Sequence, residues 1–196
     1  MMAEVDICRK LGVMFLEDYG PFGPQATKSP YNVRTTRPAI TDGLSNTLLL
    51  GENALTGVGP VSQFSKGIPT NWACPLANYS LFLASSAVCD ATGHCATGGL
   101  MPTSLPASDG PIWSMANRVG TCQNINYGQY LSAEGSFPFL NSGHPGGCNL
   151  VFTDGAVHFL SSTIDGTVYS KLLTRAGGRL PNYLRQLPLS QDSFLP

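Results

Sequence analysis

Asp154-Gly155 is the feature that most constrains the fold, because it separates two runs of β-forming residues. An Asp-Gly pair favours a two-residue type I′ turn, in which both central residues have positive φ. Such a turn predicts an antiparallel hairpin over residues 148–160, with Phe152 opposite Val157. Because side chains alternate across a strand, four apolar residues should share the face that packs on the core. They are Leu150, Phe152, Val157 and Phe159.

A helix is expected to follow the hairpin, from about residue 165 to residue 176. Asp165 is a good N-cap because its carboxylate can accept hydrogen bonds from the first helical amides. Gly177 and Gly178 should end the helix. Far upstream, the apolar run Thr47–Leu50 predicts a buried strand.

The composition favours an α+β domain with many loops. The chain of 196 residues contains 22 glycines and 15 prolines, and only 12% of its residues are charged. This density of glycine and proline excludes a long helical bundle or coiled coil. The net charge is −1 without a basic stripe, which argues against nucleic-acid binding. No apolar run approaches the roughly 20 residues of a membrane-spanning helix. We therefore expect an antiparallel sheet with a C-terminal hairpin and helix.

Composition also divides the chain into three parts. Residues 1–38 combine a short helix with a proline-rich loop, residues 39–180 form a single globular domain, and residues 181–196 are a loosely docked tail. Within the domain, residues 57–135 show no sustained strand or helix period and form a long, variable insertion. Its aromatic and asparagine side chains suit a carbohydrate- or protein-binding surface. They also suit a small core beneath the loops, which is the favoured alternative.

The six cysteines of this charge-poor chain indicate an exported protein with disulfides. Six buried free thiols are the alternative. Cys89 and Cys95 are the first candidate pair because the loop between them is short, and Cys74 and Cys122 are the second. Residues 1–19 lack the apolar run of a signal peptide. We therefore expect the chain as given to be cytosolic, or its N-terminus to be incomplete.

Two separated blocks resemble one protein family. The first block is Ile40–Glu52, with the sequence ITDGLSNTLLLGE. The second block comprises His144-Pro145-Gly146-Gly147, Asp154-Gly155 and Thr174–Gly178, the last with the sequence TRAGG. Nine residues separate His144 from Asp154. Both blocks, in this order, are similar to the planctomycete family known as domain of unknown function 1559, whose H-x9-DG motif is called prepilin-processing-associated.

The resemblance implies a pseudopilin-like globular α+β domain of the cell envelope or the extracellular space. It implies a structural or interaction role, without an established enzymatic activity and without a cofactor. Other pilin-like subunits or envelope proteins are the expected partners. Family members begin with a cleavable prepilin segment and a long hydrophobic helix, which this chain lacks at its start. Membrane insertion is therefore not expected for the chain as given.

The motif residues are expected to hold the fold rather than to react. Asp42 and Asp154 precede glycines in turns, and Asp42 should cap amides of the segment that follows it. Glu52, at a strand end, can pair with Arg34, Arg37 or Arg175. The motif residues are Asp42, Gly43, Ser45, Asn46, Glu52, His144, Pro145, Gly146, Gly147, Asp154, Gly155, Arg175, Gly177 and Gly178.

His144 has two possible roles. Its imidazole can tie the incoming loop to the open end of the hairpin and to the helix start near Asp165, since it offers one donor and one acceptor. The alternative is a metal ligand or general base beside Glu52 or Asp154, which would make the protein a secreted hydrolase or a metal-binding protein. An enzyme should gather these three side chains around one concavity, whereas a scaffold should use them in separate hydrogen bonds.

Two other arrangements carry little support. Ser45, His144 and Asp154 can be written as a triad, but no G-x-S-x-G motif surrounds Ser45. Cys89, His94 and Cys95 lack the second ligand pair of a zinc site. No catalytic residue and no metal site is therefore predicted.

Overall fold

The described part of the chain forms an antiparallel sheet packed against one helix. The computed structural model describes residues 10, 12–13, 35–54, 113–114, 116–120, 124–127, 139–181 and 184–194. Strands β1 (Leu48–Gly51), β2 (Gly147–Phe152) and β3 (Val157–Ser161) pair in the order β1-β2-β3, and helix α1 spans Gly166–Leu173. Short 3-10 turns lie at Arg37–Ala39, Leu44–Asn46, Gly177–Arg179 and Gln191–Ser193. The α+β class and the C-terminal hairpin and helix are confirmed.

Strand β1 joins the hairpin from far away in the sequence. It pairs antiparallel with β2, Leu48 opposite Phe152 and Gly51 opposite Leu150. A register shift between Leu48 and Leu50 marks a β-bulge, which lets Leu48 face the core while Leu50 faces outward, 51% exposed. The strand predicted at 47–50 is thus confirmed, displaced by one residue.

The hairpin turn has three residues rather than two. The Gly155 amide donates to the Phe152 carbonyl and the Phe152 amide donates to the Ala156 carbonyl. In the turn, positive φ is confined to Gly155, at 93°, as in a type I turn followed by a left-handed residue. The predicted type I′ turn is wrong because Thr153 is held elsewhere. Its amide and hydroxyl donate to the carbonyl oxygens of residues 47 and 44, in the segment before β1.

This extra turn residue reverses the face of β3. Val151 pairs with Val157 and Leu150 with His158, and a shift of one residue moves every side chain of a strand to the other face. The predicted burial of Leu150 and Phe152 is confirmed, both being 0% exposed. The predicted burial of Val157 and Phe159 is wrong, since they are 60% and 46% exposed. Leu160 faces the core instead.

Helix α1 covers the inner face of the sheet. The Asp165 side chain accepts hydrogen bonds from the amides of residues 167 and 168, which confirms the predicted N-cap. Tyr169 and Leu172 are buried against the strands. The helix ends at Leu173, earlier than predicted, because Thr174 is extended and its hydroxyl contacts groups outside the helix. Gly177 therefore begins a separate turn rather than ending the helix.

The C-terminal residues take part in the core. Leu184 and Gln186 are buried, and the Trp113 indole nitrogen donates to the Leu184 carbonyl at 3.0 Å. The Phe194 ring stacks on the Phe152 ring with centroids 5.4 Å apart. Residues 184–194 are thus not the loosely docked tail that we expected. Within the described part of the chain, no helix reaches the length and apolarity that crossing a bilayer requires.

Candidate functional site

The loop His144–Gly147 is held in place by side chains that lie outside it. The Asn126 amide nitrogen donates to the carbonyl oxygens of His144 and Gly147 at 3.0 and 2.7 Å, and its oxygen accepts from the Ser142 amide. The Ser142 hydroxyl also donates to the Gly147 carbonyl and accepts from the His144 amide. The hydrogen bonds that position the backbone of this loop therefore do not involve the His144 imidazole.

Backbone conformation and close packing disfavour a side chain at two glycines of this loop. Gly146 has a φ of 78°, a backbone conformation that residues with a side chain rarely adopt. A Cβ on Gly147 would overlap the Leu160 carbonyl oxygen and lie 2.8 Å from the Phe159 ring. Phe159 thus covers Gly147 on the outer face, which we define as the side of the sheet turned away from α1. The glycines of the motif make room for the chain and for this ring.

His144 and Glu52 meet at the edge of the sheet. The imidazole Nε2 lies 3.4 Å from Glu52 Oε1, and the two side chains are 53% and 37% exposed. The His144 ring also approaches Phe159 edge-on, at 6.5 Å between centroids. His144 lies at the open end of the hairpin, as expected. Asp165, its predicted second neighbour, accepts hydrogen bonds from the amides of Thr167 and Val168 at the start of α1.

The Glu52 carboxylate accepts two hydrogen bonds from Asn149 of β2. Its Oε2 accepts from the Asn149 amide at 2.8 Å, and its Oε1 accepts from the Asn149 side chain at 3.3 Å. Burial raises the pKa of this carboxyl, but the two Asn149 hydrogen bonds and the nearby His144 outweigh burial and lower it. Glu52 is therefore ionised at neutral pH, and its partners are His144 and Asn149 rather than an arginine as predicted.

Asp154 and Ser45 lie at the other end of the hairpin. Asp154 Oδ1 accepts from the Ala156 amide at 2.8 Å. This bond and the Ser45 hydroxyl lower the pKa of the Asp154 carboxyl. Because His144 stands at the open end and Asp154 at the turn, the triad Ser45, His144 and Asp154 does not assemble. The same separation keeps Asp154 away from Glu52.

Asp42 connects the two motif blocks. Its Oδ2 accepts from the Gly177 amide at 2.7 Å and from the Thr174 hydroxyl at 3.2 Å. The amides of Thr41 and Asp42 donate to the Arg175 carbonyl, and the Arg175 side chain is 7% exposed. The prediction that Asp42 caps the segment following it is wrong, because it binds an amide 135 residues away.

Other motif residues shape the chain near the hydrogen bond between Asp42 and Gly177. Gly43, with φ of 100°, turns the chain, and the Asn46 amide donates to the carbonyls of Asp42 and Leu189. A Cβ on Gly177 would overlap the Gln186 side chain, whereas one on Gly178 would meet an atom only at 3.8 Å. A side chain at 177 would therefore have to displace the Gln186 amide from its contact with the Thr174 hydroxyl.

Asparagines of the insertion serve the backbone. The Asn117 amide nitrogen donates to the carbonyls of Ser162 and Ile164, and its oxygen accepts from Asn124 and from the Ile125 amide. Trp113 beside them is buried. For the described residues, this matches the small core beneath the loops. None of Asn117, Asn124 and Asn126 was predicted as a site residue, because the carbonyl oxygens to which they donate lie 18 to 47 residues away and leave no local signal.

The cysteine predictions lie largely beyond what the structure describes. Cys74, Cys89, Cys95 and Cys122 fall outside the described residues. Cys148, in β2, is a buried free thiol. Burial, with a smaller effect of Glu52, raises the pKa of this thiol to about 12. Among the described residues, no three side chains of His, Cys, Asp or Glu are grouped to hold a metal ion.

A family model described as a protein of unknown function, DUF1559, matches residues 12–167. The chain belongs to the DUF1559 family. The match includes Asp42, Glu52 and the motif from His144 to Gly155, and it ends inside α1, before Thr174–Gly178. No curated protein and no solved structure gives a significant match.

Proposed function

We propose that this DUF1559 chain is a non-enzymatic, pseudopilin-like domain of the cell envelope with a structural or interaction role. The observation that carries the proposal is the bond from the Gly177 amide to Asp42, which joins the two motif blocks across 135 residues. A carboxylate on a buried amide stabilises the fold and is not free for chemistry. In this proposal other envelope proteins, including pilin-like subunits, are the partners.

The distribution of reactive side chains supports a role without catalysis. A hydrolase needs a nucleophile, a base and an orienting group within mutual reach. Here Ser45 and Asp154 lie at the hairpin turn, whereas His144 and Glu52 lie at its open end. The carboxylates of Asp42, Glu52 and Asp154 instead each accept a hydrogen bond from a backbone amide, as a scaffold requires.

Cell fractionation tests the location and the role together. With antibodies against this chain, source cells should show the protein in the envelope fraction, in a complex that cross-linking preserves. Glu52→Gln and His144→Gln should fractionate like the wild type, because neither removes the bond from the Gly177 amide to Asp42. Recovery of the wild type as a cytoplasmic, uncomplexed chain would refute the proposal.

The His144–Glu52 pair favours one second candidate, a hydrolase that uses His144 as a general base. A carboxylate 3.4 Å from an exposed imidazole can orient the ring toward a substrate. Ester, phosphoester and peptide substrates would be tested with the wild type, His144→Gln and the control His158→Gln, which alters the other hairpin histidine. Turnover that only His144→Gln abolishes would establish this candidate, and its absence from the wild type would leave the non-enzymatic proposal.

A further inference from the structure

Strand β3 presents unpaired backbone groups at the edge of the described sheet. Its ladder with β2 includes the bonds from the Phe152 amide to Ala156 and from the Ser162 amide to the Gly146 carbonyl. Antiparallel pairing alternates between bonded and non-bonded pairs, so the amides and carbonyls of Val157 and Phe159 point away from β2. In the described part of the chain, these four groups have no hydrogen-bond partner.

The side chains on this edge are apolar and exposed. Val157 and Phe159 lie on the outer face, 60% and 46% exposed, and β3 contains neither a formal charge nor a proline. Natural proteins protect free edges with charges, prolines or bulges. The opposite edge strand β1 has a bulge between Leu48 and Leu50, whereas all the pairs of β3 with β2 are in regular register. The two edges therefore differ, and β3 is the one open to pairing.

We propose that β3 pairs antiparallel with β3 of a second copy of this chain. A two-fold axis at His158 places Val157 opposite Phe159 of the second copy and Phe159 opposite Val157 of the second copy. The outward groups of both residues are then satisfied, because each such pair exchanges two backbone hydrogen bonds. The same register puts a branched side chain beside an aromatic ring on the outer face, which is a favourable cross-strand pair. The Ser161 carbonyl, already bonded to the Ile164 amide, is not needed.

The inner side of β3 favours a second copy over an isolated peptide. His158 packs edge-on against Phe152 and Phe194, at 5.1 and 6.5 Å between centroids, and Leu160 is 1% exposed. A strand from a second copy brings its own core beneath it, whereas an added peptide would leave its inward side chains uncovered. The net charge of −1 opposes the approach of two copies only weakly. The inference names a partner for the interaction role proposed above and rests on that role.

Sedimentation velocity of the full chain tests the proposal, under reducing conditions that prevent cross-linking through cysteines. The wild type should shift from monomer to dimer between about 1 and 100 μM. Val157→Lys and Phe159→Lys should each weaken the dimer at least about 30-fold, because the two-fold axis makes every substitution count twice. Leu50→Lys is the matched control, since Leu50 is similarly exposed on the same face but lies on β1. It should leave the dimer unchanged.

Each other outcome refutes the pairing of β3. A wild type that stays monomeric at the highest concentration, or equal weakening by Leu50→Lys, would overturn it. If the lysine variants do not fold, hydrogen exchange of the wild type decides, because the amides of Val157 and Phe159 should become protected as concentration rises. Unchanged exchange overturns the proposal. A monomer that still fractionates with the envelope would refute only this inference and leave the proposed function standing.

Discussion

Replacing Asp42 by alanine should destabilise the protein strongly, because it removes the carboxylate that binds the Gly177 amide of the second motif block. The substitution leaves the buried Gly177 amide without its acceptor at 2.7 Å and removes the acceptor of the Thr174 hydroxyl at 3.2 Å. A lost hydrogen bond to a charged group costs about 1.5–3 kcal/mol. The Thr174 hydroxyl can still donate to the Gln186 oxygen at 2.6 Å, which compensates for the loss of its longer bond to Asp42. We therefore expect Asp42→Ala to lower the free energy of unfolding by about 2–3 kcal/mol.

Urea denaturation monitored by circular dichroism measures this change as a shift in the midpoint at constant slope. Asp42→Asn should recover part of the loss, since an amide oxygen can still accept from Gly177. Asp154→Ala is the matched control, because Asp154 also precedes a glycine but bonds the Ala156 amide at an exposed turn. It should cost less than about 1 kcal/mol. If Asp154→Ala costs as much as Asp42→Ala, the reasoning about the buried bond is wrong.

Three further changes test the register, the edge carboxylate and the buried thiol. Phe152→Ala should cost about 3–5 kcal/mol and Val157→Ala less than about 1 kcal/mol; equal costs in urea would contradict the observed register. The pKa of Glu52 is lowered in the folded chain, so its stabilising effect is present above its ordinary pKa of 4.5 and disappears as the pH falls through the folded-state value. Thermal melts should therefore show a smaller loss of stability in acid for Glu52→Gln than for the wild type, and parallel profiles would argue against the Asn149 contacts. Iodoacetamide should modify Cys148 only after unfolding, because burial raises the pKa of the thiol to about 12; rapid labelling of the native protein, seen by mass spectrometry, would disagree with its burial.

Local chemistry determined which elements form. The two β-forming runs around Asp154-Gly155 become β2 and β3, and the Asp165 carboxylate caps α1. These features depend on residues within a few positions of one another, so they can be predicted from the sequence. The two motif blocks, and with them the family, could be identified in the same way.

Long-range contacts decided the rest. The turn gained a third residue because Thr153 bonds the segment before β1, and that one residue moved Val157 and Phe159 from the core to the outer face. Asp42 binds the Gly177 amide, and Glu52 contacts Asn149 and His144, over sequence separations of about 90 to 135 residues. A carboxylate can satisfy any amide that the fold brings to it, so its residue type does not name its partner. The sequence by itself determined the elements and the turn position, whereas the tertiary structure determined the register and the partners, since both depend on which distant backbone groups become neighbours.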